Sequence, residues 1–400
     1  MPRALLLENI HPLATTLLEE SGYDVTSLKG ALDESELIEA LDGVSLLGIR
    51  SKTQVTDAVL AASHLDAVGA FCIGTNQIEL AAAAQRGVAV FNAPFSNTRS
   101  VVELVLGEII ALSRRLTVQN SALHKGTWNK SASGAHEVRG RTLGIVGYGN
   151  IGTQLSVVAE ALGMRVVFYD TAEKLALGNA HRMPSLDALL EESDVVTLHV
   201  DGRPGNAGMF GAAQFASMRP GALFLNLSRG FLVDYAALRA RIEDGSLAGA
   251  AVDVFPTEPK AQGEAFESDL RGLPNVILTP HVGGSTEEAQ HDIGQFVAGK
   301  LRDYQELGAT YLSVNVPGLV LDRPREGSQR VTLLHQNVPG VMAQLNEVLS
   351  QHGANVEYQV LGTWGQFGYA VTDVFGTLPE GVVETISKES TTIRARVLDA

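Results

Sequence analysis

A single cysteine, two tryptophans and the lack of any long apolar run limit what this 400-residue chain can be. Cys72 alone excludes an internal disulfide framework and any zinc site built from several cysteines, and it suits a reducing compartment. The opening MPRALLLENI has four consecutive apolar residues before Glu8, far short of a signal-peptide core. No stretch approaches the roughly 18 apolar residues of a membrane span. The most apolar helix candidate, residues 101–112, carries Glu103 and Glu108. Basic residues are also scarce: 30 Lys and Arg against 45 Asp and Glu give a net charge of −15, which argues against a nucleic-acid partner. An anionic ligand would need cations gathered locally. The expectation is a cytoplasmic protein with no membrane segment, no nucleic-acid partner and no metal.

What is present is ample apolar content, 45%, in a length that suits two or three domains. Short apolar runs at 4–7, 25–27, 46–49, 67–71 and 88–91 read as strands, with helical stretches at 13–20 and 77–86 between them. A second alternating block has strands at 143–146, 166–169, 195–199, 223–227, 250–252 and 276–278. Strands alternating with helices predict parallel sheets covered on both faces. Residues 97–116 read as one bridging helix, 283–313 as helical, and 317–328 as a linker. The last ~72 residues read β-α-β-β-α-β, at 330–335, 340–351, 356–361, 368–375, 380–388 and 392–398. The expected fold is α/β: two doubly wound, Rossmann-like domains, 1–97 with 283–316 and 98–282, plus a small α+β domain at 329–400.

Gly147, Gly149 and Gly152 follow the apolar run 143–146 and precede a helical pattern that begins near Thr153. The first glycine permits a tight turn, the second a close approach of backbone to a pyrophosphate, and the third close packing of helix on strand. Asp170 ends the next strand 18 residues after Gly152, where an acid hydrogen-bonds ribose hydroxyls and repels a 2′-phosphate. The expected cofactor is NAD, with Lys174 the one nearby cation that could speak for NADP. Downstream, NLSRGFLVD, DVFPTEP and TPHVGGST contribute Arg229, Glu258 and His281. A cation, a carboxylate and an imidazole beside a dinucleotide suit transfer of a hydride and a proton on a substrate that carries a carboxylate. Each of the three, taken singly, could equally be a structural or surface charge.

With RSKT, FCIGTNQIEL, FNAPFSNTRSVVELVLGE, GYGNIGTQLS, SDVVTLHV, NLSRG, DVFPTEP and TPHVGGSTEEAQ, the chain resembles the D-isomer-specific 2-hydroxyacid dehydrogenase family over nearly its whole length. Within the family it is most similar to members that oxidise 3-phospho-D-glycerate, the first step of the phosphorylated route to serine. The resemblance implies that His281 is the acid/base, Glu258 orients and charges it, and Arg229 binds the substrate carboxylate. It places Asn150 and Ile151 at the pyrophosphate turn. Leu227, Ser228, Arg229, Asp253, His281, Val282, Gly283 and Gly284 fall on the nicotinamide side, although Asp253 could also be a structural acid. Arg50, Ser51, Lys52, Asn97 and Lys130 become substrate candidates, while Trp128 reads as interface packing and Cys72 as core filler. The tail around HQNVPGVMAQLNEVLSQHGANV resembles an ACT domain, which implies a homotetramer and L-serine as effector, held by His335, Asn337 and Asn355. Val338 stands where some relatives have arginine, and EGSQR where some have a glycine pair. Alternatives are a dehydrogenase for another D-2-hydroxy acid (lactate, glycerate or 2-hydroxyglutarate), a non-catalytic NAD-sensing scaffold, and a tail that only cements the tetramer.

Overall fold

The computed structural model describes residues 1–259, 263–379 and 381–399. The chain divides into two compact units, Met1–Pro94 with Gln290–Ala400, and Phe95–Ala289.

The first unit opens with β1 (Arg3–Leu6), α1 (Pro12–Glu20), β2 (Asp24–Ser27), α2 (Glu34–Ala40), β3 (Val44–Ile49), α3 (Asp57–Ala62), β4 (Ala67–Ala70), α4 (Leu80–Gln85) and β5 (Ala89–Asn92). The strands form a parallel sheet of order β2-β1-β3-β4-β5. Strand order therefore reverses between β1 and β3, where doubly wound sheets open a ligand crevice at their carboxyl edge. Helices start where the sequence supplies caps: Asp33 accepts the Glu36 amide while Glu36 reaches back to the Asp33 amide. The expected helix 77–86 begins only at Leu80, because Ile78 bridges to Val55 instead.

In the second unit, α5 (Thr98–Ser113) and α6 (Leu116–His124) replace the single helix expected at 97–116. Arg115 adopts a left-handed conformation, φ 52°, and breaks the helix where its buried face ends. Then follow β6 (Thr142–Val146), α7 (Asn150–Ala161), β7 (Arg165–Tyr169), β8 (His181–Arg182), α8 (Leu186–Glu192), β9 (Val195–Leu198), α9 (Ala212–Ser217), β10 (Ala222–Asn226), α10 (Tyr235–Glu243), β11 (Leu247–Val252) and β12 (Val276–Leu278). These strands lie parallel in the order β12-β11-β10-β9-β6-β7-β8. The two-residue β8 left no periodic signal to read. α7 starts at Asn150, three residues ahead of the expected Thr153, which brings the helix N-terminus directly onto the glycine turn.

Where 283–313 was expected to be helical, α11 covers only Glu287–Leu307. Gly308, at φ 69°, turns the chain back so that Ser313 can bridge to Phe91. The tail forms β13 (Ser328–Gln336), α12 (Val341–Gln351), β14 (Asn355–Trp364), β15 (Phe367–Phe375), α13 (Val382–Lys388) and β16 (Thr392–Asp399), an antiparallel sheet of order β14-β15-β13-β16. Glu380, the expected start of the last helix, lies outside the described residues, as does Ala400. The fold class expected from sequence holds: two parallel Rossmann-like sheets and a small βαββαβ module. Among the described residues, no helix is long and apolar enough to cross a membrane.

The small module does not hang from a free tether. Leu301, Tyr304, Val316 and Leu321 share one apolar cluster with Leu334, Tyr369 and Val371, so core residues come from both sides of residues 317–328. Arg330 grips the Asp373 carboxylate with Nε and Nη2 at 2.6 and 2.8 Å, and its Nη1 donates to the Leu307 carbonyl at the end of α11. Arg394 reaches the Asp66 carboxylate and the Leu65 carbonyl. The Arg330–Asp373 side chains are only 2% and 9% exposed, so neither charge can fall back on water. Arg330→Ala should therefore cost about 3–5 kcal/mol, seen as a large fall in thermal midpoint, while Arg330→Met with Asp373→Leu should recover most of it. A single variant as stable as the parent would contradict this.

Candidate active site

At the carboxyl end of β6 the chain turns through Gly147, φ +93°, whose added Cβ would lie 2.5 Å from the His199 carbonyl oxygen. A Cβ on Gly152 would lie 2.3 Å from the Gly147 carbonyl oxygen, whereas nothing stands within 4 Å of one on Gly149. The turn is thus closed on its inner side and open over Gly149, at the N-terminus of a twelve-residue helix. Asn150, Ile151 and Gly152 supply the first helical amides there. This is the cradle a dinucleotide pyrophosphate fits. The Asp170 carboxylate accepts the Tyr148 and Ala172 amides at 2.9 and 2.8 Å, so the expected ribose acid also braces the turn. Arg182, which sequence reading passed over, donates to the Asp170 and Ala172 carbonyls from β8, twelve residues away in the chain.

Three further strand ends gather Arg229, Glu258 and His281 in the same unit. After β10, Asn226 binds its own loop: its amide donates to the Arg229 carbonyl and to Tyr235 Oη, and its Oδ1 accepts the Ser228 amide. Tyr235 Oη in turn donates to the Val254 carbonyl at 2.7 Å. Gly230 presses on the next loop, for a Cβ there would sit 2.0 Å from the Phe255 carbonyl carbon. Leu227 and Ser228 are buried, with Ser228 Oγ donating to the Leu198 carbonyl, and the half-buried Arg229 donates from Nη1 to the Ser228 carbonyl. Asn226, Gly230 and Tyr235 were not singled out from sequence. Their only signal was a place in or just after the strand expected at 223–227.

His281 Nδ1 meets Glu258 Oε2 at 2.9 Å and Oε1 at 3.1 Å. Glu258 also accepts the Phe255 amide at 3.1 Å. Burial pushes the Glu258 carboxyl up. The His281 hydrogen bond and charge, the Phe255 amide and the Arg229 guanidinium outweigh it and hold the group below its ordinary value. The dyad is therefore assembled with its carboxylate ionised. His281 itself sits at φ 56°, a left-handed conformation that costs a non-glycine residue on the order of 1 kcal/mol or more. The flanking loop is pinned by Asp253, 1% exposed, which accepts Thr279 Oγ1 at 2.6 Å, the Val282 amide at 2.8 Å and the Gly283 amide at 2.8 Å. With both oxygens so engaged, Asp253 acts on the His281 loop. Ser100 Oγ donates to the Gly283 carbonyl, and Asn97 packs against Gly284, where a Cβ would meet Asn97 Nδ2 at 2.4 Å.

The other expected residues fall into separate groups. Arg50, Ser51 and Lys52 follow β3 in the first unit. Lys130 and Trp128 lie on an exposed stretch after α6, and no contact among the described residues ties them to the Arg229–Glu258–His281 group. His335 is buried, with Nδ1 bonded to the Gln336 carbonyl and the ring lying against Gly368. Asn337 donates to the Gly365 carbonyl. Asn355 does not join them: it pairs with Phe375 at the far end of the sheet, whereas His335 pairs with Gly368. The three expected effector residues therefore do not converge within one chain.

Comparison with known proteins comes to the same place. Residues 106–283 match the family model "D-isomer specific 2-hydroxyacid dehydrogenase, NAD binding domain", and residues 331–394 match "AHAS small subunit-like ACT domain". The D-3-phosphoglycerate dehydrogenase of Haemophilus influenzae is 48% identical over 396 residues, spanning 98% of this chain and 96% of that protein. That of Escherichia coli K12 is 48% identical over 398 residues, spanning 98% and 97%. Among solved structures, a D-2-hydroxyisocaproate dehydrogenase matches with a TM-score of 0.71 at 25% identity, covering 78% of this chain and 99% of that one.

One acid beside this machinery behaves differently. Glu108, on α5, is buried, and neither carboxyl oxygen has a hydrogen-bond partner among the described residues. Burial first, and then the negative charge of Asp253, pushes its pKa up to about 8. The folded chain therefore keeps Glu108 protonated where the unfolded chain ionises it. Its contribution is harmless below the ordinary carboxylate range and becomes a growing cost as pH rises towards 8. Glu108→Gln removes that ionisation. Its thermal midpoint relative to the parent should rise between pH 5 and pH 8, and a pH-independent difference would contradict the assignment.

Proposed function

The chain belongs to the D-isomer-specific 2-hydroxyacid dehydrogenase family, in its D-3-phosphoglycerate dehydrogenase branch, and is an NAD-dependent dehydrogenase; from that premise we propose that it oxidises 3-phospho-D-glycerate to 3-phosphooxypyruvate as the first step of the phosphorylated route to L-serine. The observation that carries the reading is the His281–Glu258 contact with Arg229 beside it. With Nδ1 engaged by Glu258, Nε2 is the nitrogen left to take the C2 hydroxyl proton. NAD, held by the Gly147–Gly152 turn and Asp170, supplies the acceptor for the C2 hydride. Glu258 stabilises the imidazolium that forms, and Arg229 holds the substrate carboxylate through a forked contact and polarises the C2 oxygen.

Arg50 is assigned to the substrate phosphate, with Ser51, Lys52, Asn97 and Lys130 as further contacts. L-Serine is assigned as the effector of the ACT-like module. Because His335 and Asn337 lie at the opposite end of the sheet from Asn355, an effector touching all three needs the modules of two copies paired in opposite directions. Such a pairing joins two copies, and the homotetramer we assign needs a further contact between such pairs.

An NAD-reduction assay on a panel of D-2-hydroxy acids tests the reading. Two charge-assisted hydrogen bonds to phosphate, at ~1.5 kcal/mol each, correspond to about 100-fold in kcat/KM for 3-phospho-D-glycerate over D-glycerate. Turnover should vanish in His281→Ala and fall when L-serine is added. Equal turnover of phosphoglycerate and glycerate sinks the substrate assignment, and indifference to serine at every concentration sinks the effector assignment.

A further inference from the structure

The carboxyl edge of the first sheet holds another buried carboxylate whose partners are backbone amides. Leu6 of β1 pairs with Gly48 of β3, so Glu8 and Arg50 leave the sheet side by side, where the strand order reverses. Glu8 and Asn9 both adopt left-handed conformations, φ 62° and 55°, which L-residues seldom take in succession. Glu8 is only 8% exposed, and its Oε1 accepts the Arg50 and Thr53 amides at 3.1 and 2.9 Å while its Oε2 accepts the Lys52 amide at 3.0 Å. Three amides converging on one carboxylate make an anion nest that the chain fills itself. On the other side of the same residue, the buried Gln77 donates from Nε2 to the Arg50 carbonyl at 2.6 Å and to the Gly74 carbonyl at 3.1 Å. The Arg50 backbone is thus held at both its N–H and its C=O. Ser51 and Lys52 are exposed on the outside of the turn, and Arg50 is half-buried.

We propose that Glu8 is a positioning residue for substrate selection: by filling the inside of the 50–53 turn, it fixes the backbone from which Arg50 is offered to the substrate phosphate. The inference rests on the assignment of Arg50 made above. Glu8 plays no part in moving the hydride or the proton, so its removal acts on recognition. A glutamine in its place has one carbonyl oxygen to accept and an NH2 group that faces amide donors, so at least one of the three bonds is lost. The turn then no longer arrives preorganised, and the contact it presents to the phosphate weakens.

The test uses the full chain and four variants: Glu8→Gln, Glu8→Asp, Arg50→Ala and Glu8→Gln with Arg50→Ala. Each is assayed for NAD reduction on 3-phospho-D-glycerate and on D-glycerate, with the KM for NAD and the thermal midpoint measured alongside. Glu8→Gln is expected to raise KM for 3-phospho-D-glycerate about tenfold with kcat within about twofold, and to leave kcat/KM for D-glycerate unchanged. Glu8→Asp, which keeps the charge and shortens its reach, should shift KM in the same direction by less. In the Arg50→Ala background, Glu8→Gln should add less than about twofold. Equal losses on both substrates, a fall in kcat, an unchanged KM, or effects that multiply in the double variant would each overturn the proposal. If Arg50→Ala itself leaves the preference for the phosphorylated substrate intact, the Arg50 assignment fails, and the Glu8 proposal falls with it.

Discussion

The site hangs on a buried carboxylate that need not touch substrate. Asp253 directly follows β11 and takes three donors from residues 279–283, which bracket His281. His281 holds a left-handed backbone that its own chemistry does not favour, and it must still meet Glu258 at 2.9 Å. Strain of this kind persists where the surroundings over-determine it. Here the surroundings are Asp253 on one side and the Ser100–Gly283 bond on the other. Gly230 adds the remaining constraint by bringing the Arg229 loop against the backbone that leads to Glu258.

The same device recurs at other strand ends. Asp170 binds the amides of Tyr148 and Ala172, Glu258 binds that of Phe255, and Glu8 binds three amides of the 50–53 turn. Parallel strands end in loops whose amides lack ladder partners, and a short acidic side chain at the strand end can satisfy several of them at once. This also reconciles a net charge of −15 with anionic ligands. Acids engaged by backbone amides have their charge locally compensated, while Arg229 and Arg50, the cations proposed to meet the ligand, stand on strand-end loops.

The fold was largely legible because parallel, buried strands are continuous apolar runs, and every strand long enough to show one was found. Errors fell where no period exists: the two-residue β8, the left-handed Arg115 between α5 and α6, and the turn at Gly308 that ends α11. The grouping of Arg229, Glu258 and His281 was legible too, since all three stand in dense motifs. Their supports were not. Glu8 read as a charge interrupting an apolar run, Asn226 as one position of the strand expected at 223–227, and Gly230 and Tyr235 carried no signal of their own. Glu8 acts by filling another loop's backbone and leaves no local pattern, because its partners lie 42 to 45 residues away. Asn355 illustrates the reverse: it belongs to the effector set by resemblance, yet strand register puts it far from His335 within one chain.

The most direct measurement is the kinetics of Asp253→Asn together with NADH binding followed by fluorescence. An amide cannot accept from all three donors, so the His281 loop should loosen. A displacement of about 1 Å at the reacting groups can cost on the order of 100-fold in rate. The account predicts a fall in kcat of about that size with NADH affinity within a few-fold of the parent. A variant with near-normal kcat and greatly weakened NADH binding would contradict it, and would return Asp253 to direct contact with the cofactor.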